Sequence, residues 1–152
     1  MAPSRRRYVL DTNIFIKATR DPEYQVQLER FHAAFAPFEL LSAVVAHELR
    51  AGAHGKSAAR IDRALLQPFE RRGRVITPSY DAWKGTGEVL SALIGSKKRR
   101  WTDVSRSFVN DVLLALSCRE AGAMLVTENL RDFAMIAAVR PFDFVEPWPI
   151  PA

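Results

Sequence analysis

Apolar residues fall into short runs separated by stretches in which they recur every three or four positions. That alternation is expected of strands and helices in an α/β fold. Residues 7–10, Arg-Tyr-Val-Leu, read as a first strand, and 12–19 as a short helix with Ile14, Phe15 and Ala18 on one side. Pro22 opens a longer helix through Ala34, which Pro37 closes. A second strand follows at 38–41, and Ser42 is placed to cap a helix over 43–51 that ends at Gly52. One helix is expected over 57–71, a short strand at Val75-Ile76 before Pro78, and a helix over 81–94. After a basic loop, a helix over 107–121 ends at Gly122, and strands are expected at 124–126 and 142–145. The tail, with Pro147, Pro149 and Pro151, cannot extend a hydrogen-bonded ladder. Four to five short apolar strands separated by helices imply a central parallel sheet covered on both faces. Such sheets bind ligands at the carboxyl ends of their strands, so acids that follow strands carry the interest.

At 152 residues, with no internal repeat or break in composition, the chain is expected to be one domain, its core spanning about 7–146. A hydrophobic content of 48% against 26% charged residues supplies a core and excludes disorder. No apolar run approaches the ~20 residues that cross a bilayer. The basic stretch before Tyr8 is not followed by a secretory apolar segment, so a cytoplasmic protein with no membrane association is expected. The single cysteine, Cys118, allows no internal disulfide and no zinc site of its own. The 22 basic residues exceed the 17 acidic ones, for a net charge of +5, which favours polyanionic partners and equally suits a merely soluble basic protein.

The acids are more specific. Asp11 directly follows the first strand, where it can cap the next helix, face a cleft, or both. Glu48 lies four residues after Val44 and three after Val45, on the apolar stripe of its helix. A carboxylate there needs a partner, either an arginine such as Arg50 or Arg60, or a metal ion. Asp111 is set into a stripe of Phe108, Ala115, Cys118 and Gly122, with a favourable helix dipole as its alternative role. Thr127-Glu128-Asn129-Leu130-Arg131-Asp132 turns out of a strand, where Asn129 and Asp132 suit either a local turn or a site. Two carboxylates ~4 Å apart repel by about 4 kcal/mol at an effective dielectric of 20. Several acids gathered at one sheet edge therefore point to a divalent cation, and Mg²⁺ and Mn²⁺ prefer oxygen ligands.

Taken together these segments resemble the PIN-domain family, in its VapC-like toxin branch. Val9-Leu10-Asp11-Thr12-Asn13-Ile14-Phe15-Ile16 resembles the family's opening strand, acid and helix. Glu48 follows 37 positions later, Asp111 a further 63, and Asn129 a further 18, inside a segment that resembles the family's closing motif. The resemblance implies a three-layer α/β/α fold and an Mg²⁺- or Mn²⁺-dependent endoribonuclease. It further implies a homodimer and a VapB-like antitoxin as partner. Asp11, Glu48 and Asp111 match the acidic metal-binding triad, and Asn129 stands where many relatives carry Asp. Asn13 and Thr127 match supporting polar positions, and Asp132 is an alternative source of the fourth charge.

Lys97-Lys98-Arg99-Arg100-Trp101 precedes the helix of Asp111, and cations beside an aromatic ring suit single-stranded RNA. A solvated loop with Trp101 packed in the core is the alternative. Arg5, Arg6, Arg7, Arg71, Arg72 and Arg74 add charge without showing whether they share a face. His47, next to Glu48, points off its face and is read as a surface or packing residue, and Cys118 as core. Two other functions compete with the toxin: a housekeeping RNA-processing nuclease, and an RNA-binding module with a degenerate site.

Overall fold

Arg7–Leu10 forms β1, whose last two residues are fully buried and whose edges both find partners, making it the centre of the sheet. In the computed structural model, which describes residues 6–149, it is followed by α1 (Thr12–Arg20), α2 (Pro22–Phe35) and β2 (Glu39–Ser42). Next come α3 (Ala43–Gly52), α4 (Lys56–Ile61), α5 (Gln67–Arg71) and β3 (Val75–Ile76). The chain then runs through α6 (Tyr80–Gly95), α7 (Arg106–Ala121), β4 (Ala123–Val126), α8 (Leu130–Val139) and β5 (Phe144–Val145). Arg5 and Pro151 lie outside the described residues.

The five strands are parallel in the order β3-β2-β1-β4-β5. Parallel strands need crossover connections, and these are right-handed. The chain steps from β1 to β3 in one direction and reaches β4 and β5 in the other. That reversal places α6, α7 and α8 on the opposite face from α1 and α2, giving the three α/β/α layers, and α6, α7 and α8 pack on one another. Between the layers lies one apolar core, with Val9, Ile14, Leu41, Val45, Leu114, Leu125, Phe133 and Ile136 almost wholly shielded from water.

Local signals explain the boundaries. Asp11, Asp21, Ser42, Ser79 and Ser105 each accept a backbone N–H at the start of a helix. Gly122 ends α7 in the left-handed conformation at φ 64°. The expected single helix over 57–71 is instead α4 and α5 joined by a π turn over Asp62–Leu66, in which the N–H of Gln67 reaches the carbonyl of Asp62. Pro68 has no N–H for the carbonyl of Ala64, and the ladder widens there.

Candidate functional site

The sheet order reverses between β1 and β4, the place at which open parallel sheets form a ligand crevice beyond the strands' carboxyl ends. Asp11 follows β1 directly and Thr127 follows β4 directly, so chain topology alone places the two side by side. The Asp11 N–H continues the ladder to the Val126 carbonyl at 2.9 Å. The Thr127 hydroxyl donates to Asp11 Oδ2 at 2.7 Å, and the Thr12 N–H donates to Oδ1 at 2.7 Å. The capping and cleft roles of Asp11 thus coexist in one buried carboxylate.

Glu48 enters from α3. Neither arginine weighed from sequence is its partner: Arg50 bonds Asp62 at 2.7 Å and also Glu70. Glu48 instead accepts the Thr12 hydroxyl at 2.8 Å. Thr12, which sequence reasoning passed over, therefore touches two acids, one through its backbone and one through its side chain. Only its place directly after Asp11 hinted at this. His47 is exposed, as expected for its off-face position.

Asp111 is half-buried on α7. It lies in the second turn, beyond capping reach, because the helix already begins at Arg106 under the Ser105 cap. Burial, followed by the negative charges of Asp11, Glu48 and Asp132, pushes its carboxyl up to about 8, against a smaller opposing pull from Arg99. Burial likewise raises Asp11 to about 6, with Glu48 adding to the rise and the two threonine hydrogen bonds opposing it. Asp11, Glu48 and Asp111 therefore share one electrostatic neighbourhood, and Asp132 joins it.

The closing segment combines local turn contacts with a place beside the acids. Asn129 stands at the start of α8 without a side-chain cap bond, and its Nδ2 donates to Asp132 Oδ2 at 3.3 Å. Its N–H donates to the Thr127 hydroxyl at 2.9 Å, fixing that oxygen as it donates to Asp11. Asp132 caps nothing: its Oδ1 takes a 2.8 Å bond from Arg99, whose guanidinium lies 4.0 Å above the Phe108 ring. Asn13 is half-buried, and its Oδ1 is a buried oxygen without a hydrogen-bond partner.

A second cluster at the crevice was not anticipated. Glu128 accepts the Tyr24 hydroxyl at 2.8 Å and pairs with Lys17 at 3.3 Å, tying α1 and α2 to the turn after β4. Burial and the Glu128 charge push the Tyr24 phenol well above its ordinary value. The arginines scatter. Arg6 and Arg7 lie at the amino end of β1 and Arg74 at that of β3, the sheet edge opposite the acids. Trp101 is 72% exposed in a short 3₁₀ turn, which excludes its packing in the core, whereas Cys118 is fully buried.

Among the described residues no group of three His, Cys, Asp or Glu side chains is closed tightly enough to hold a metal ion as it stands. The donor chemistry nonetheless fits a hard divalent ion. All the nearby donors are oxygen, the acids are crowded enough to retain protons, and the Asn13 oxygen is buried without a partner.

A three-layer protein with a parallel sheet and crowded acids at its switch point has the general form of an α/β protein that binds its ligand at that edge. The PIN domain family matches residues 8–139, and the chain belongs to that family of divalent-metal nucleases. Solved structures agree in fold. DNA-bound VapBC from Salmonella typhimurium superposes with a TM-score of 0.67 at 23% identity, covering 93% of this chain and 98% of that one. VapBC2 from Rickettsia felis, bound to a DNA fragment from its promoter, gives 0.64 at 25%, with the same coverages. FitAcB from Neisseria gonorrhoeae gives 0.67 at 18%, covering 94% and 99%. No curated protein matches the chain. Among the described residues no helix is long and apolar enough to cross a membrane.

Proposed function

We propose that this chain is a metal-dependent endoribonuclease and the toxin of a type II toxin–antitoxin pair. The observation that carries the reading is the Thr127–Asp11–Thr12–Glu48 chain of contacts at the switch point, with Asp111 in the same field. Asp11, Glu48 and Asp111 would hold Mg²⁺ or Mn²⁺, and Asn13 offers a further oxygen. Such an ion, held by these carboxylates, would offset their mutual repulsion and would supply Lewis-acid activation of water for phosphodiester hydrolysis. Thr127 and Thr12 hold the Asp11 carboxylate in one orientation, and Asn129 fixes Thr127 through its backbone. Asp132 adds a fourth carboxylate beside these acids, held by Arg99 and by the Asn129 amide. The VapBC likenesses support a VapB-like antitoxin as partner. Exposed Tyr80 and Trp83 at the start of α6 offer an apolar surface for homodimerisation in the cytoplasm.

The test is cleavage of end-labelled single-stranded RNA with Mn²⁺ or Mg²⁺, with and without chelator. The wild type should cut only with metal, and Asp11→Asn should not cut. Induced expression should arrest growth for the wild type alone. Equal cleavage by the wild type and Asp11→Asn ends the nuclease reading.

A further inference from the structure

Beside the acids, the α6–α7 loop and the first turn of α8 enclose an open pocket of about 550 Å³. Lys97, Lys98, Arg99, Arg100 and Arg131 line it, with the carboxylates of Asp103 and Asp132. Both carboxylates are already taken: Arg100 bonds Asp103 at 2.9 Å and Arg99 bonds Asp132 at 2.8 Å. Lys97, Lys98 and Arg131 are exposed and take part in none of the ion pairs among the described residues. The pocket therefore presents three uncompensated positive charges.

The loop is not a loose tether. The N–H groups of Lys98 and Arg99 both donate to the Leu93 carbonyl, at 3.0 and 3.2 Å. Arg99 is pinned between Phe108 and Asp132, so one edge of the basic pocket is shared with the acidic crevice. Lys97 holds φ 61°, a left-handed conformation suited to glycine, so its side chain is kept at a backbone cost. Trp101 stands exposed at the loop's end.

We propose that Lys97, Lys98 and Arg131 form a binding pocket for the backbone phosphates of single-stranded RNA, with Trp101 as a base-stacking platform, and that it leads the strand into the acidic crevice. This deepens the ribonuclease reading by naming where the strand is held and by adding Arg131 to the loop. The clustered cations serve phosphates, and the neighbouring aromatic ring serves bases, which an acidic peptide would not need. Arg99 is a positioning residue: bound to Asp132, it fixes the pocket relative to the acids.

The experiment is anisotropy of a labelled oligouridylate against the full chain in chelator, so that no cleavage occurs, over a range of salt concentrations. Lys97→Ala/Lys98→Ala/Arg131→Ala should weaken binding roughly tenfold and reduce the salt slope by about 2, near 0.7 for each phosphate no longer neutralised. Lys97→Gly should weaken binding while the melting temperature stays level or rises, since glycine suits that backbone better. Trp101→Ala should lower affinity with the slope unchanged. Wild-type affinity and slope in the triple variant would overturn the proposal. So would wild-type binding to oligoglutamate and not to RNA, which would assign the pocket to a protein partner. A chain that binds RNA in chelator through these residues yet never cuts it refutes the nuclease reading alone. One that cuts while the triple variant binds normally refutes the pocket alone.

Discussion

The Asp11 carboxylate answers two opposed demands. Burial drives it towards the protonated state, and the Thr127 and Thr12 donors draw it back. Thr127→Val keeps the shape and removes one donor, which should cost about 2 kcal/mol, the scale of a hydrogen bond to a charged group. It should also raise the Asp11 pKa further, so that more Mn²⁺ is needed for half-maximal cleavage at neutral pH; chemical denaturation and a metal titration read the two effects. Asp111 gives a sharper signature. Its carboxyl releases its proton near 3.8 when unfolded and near 8 when folded, so the folded state binds more protons between those values. This group's stabilisation is complete below 3.8 and is lost as pH climbs towards 8, with a slope of up to about 1.4 kcal/mol per pH unit. Urea unfolding in chelator should show that decline in the wild type and a flatter profile in Asp111→Asn. Matching profiles would mean that Asp111 does not titrate in this way.

At the level of elements, what could be read in the sequence were the ends and the faces. Ser42 and Gly122 announce a helix start and a helix end through chemistry contained in a few residues, and both lie where expected. Gly122→Ala should cost about 1 kcal/mol, because alanine resists the left-handed backbone there; a shifted urea midpoint would record it. The α4–α5 break was hidden because a π turn changes the periodicity by one residue, too little to disturb an apolar pattern. Pro68 was the visible cue, and its missing N–H supplies the reason. Which partner a side chain chooses was beyond reach as well. Glu48 found a threonine from a neighbouring helix, while the arginine two residues along its own helix turned to Asp62 and Glu70.

For the whole molecule, the order of strands and acids along the chain was enough to anticipate the sheet and the edge at which the acids gather. It could not say which cations join them, since that depends on which ends of the strands the arginines precede. Arg7 begins β1 and Arg74 precedes β3, so both lie at the far edge, while the α6–α7 loop adjoins the acids through Asp132. If the acids receive a divalent ion, binding must feed back on the stability of the fold. Mn²⁺ at a hundred times its dissociation constant should add about 2.7 kcal/mol to the wild type. Thermal melts of Asp11→Asn should show no such gain; an equal gain would place the ion elsewhere.

The central position of β1 bears on how the chain is made. One of its two neighbours, β4, follows it only much later in the chain: Arg7 pairs with Ala123, 116 positions on (123 − 7). A strand cannot close a ladder with a partner that does not yet exist, so Asp11 waits for Thr127 across most of the polypeptide. The crevice is thus completed only when Ala123–Val126 has joined the sheet beside β1.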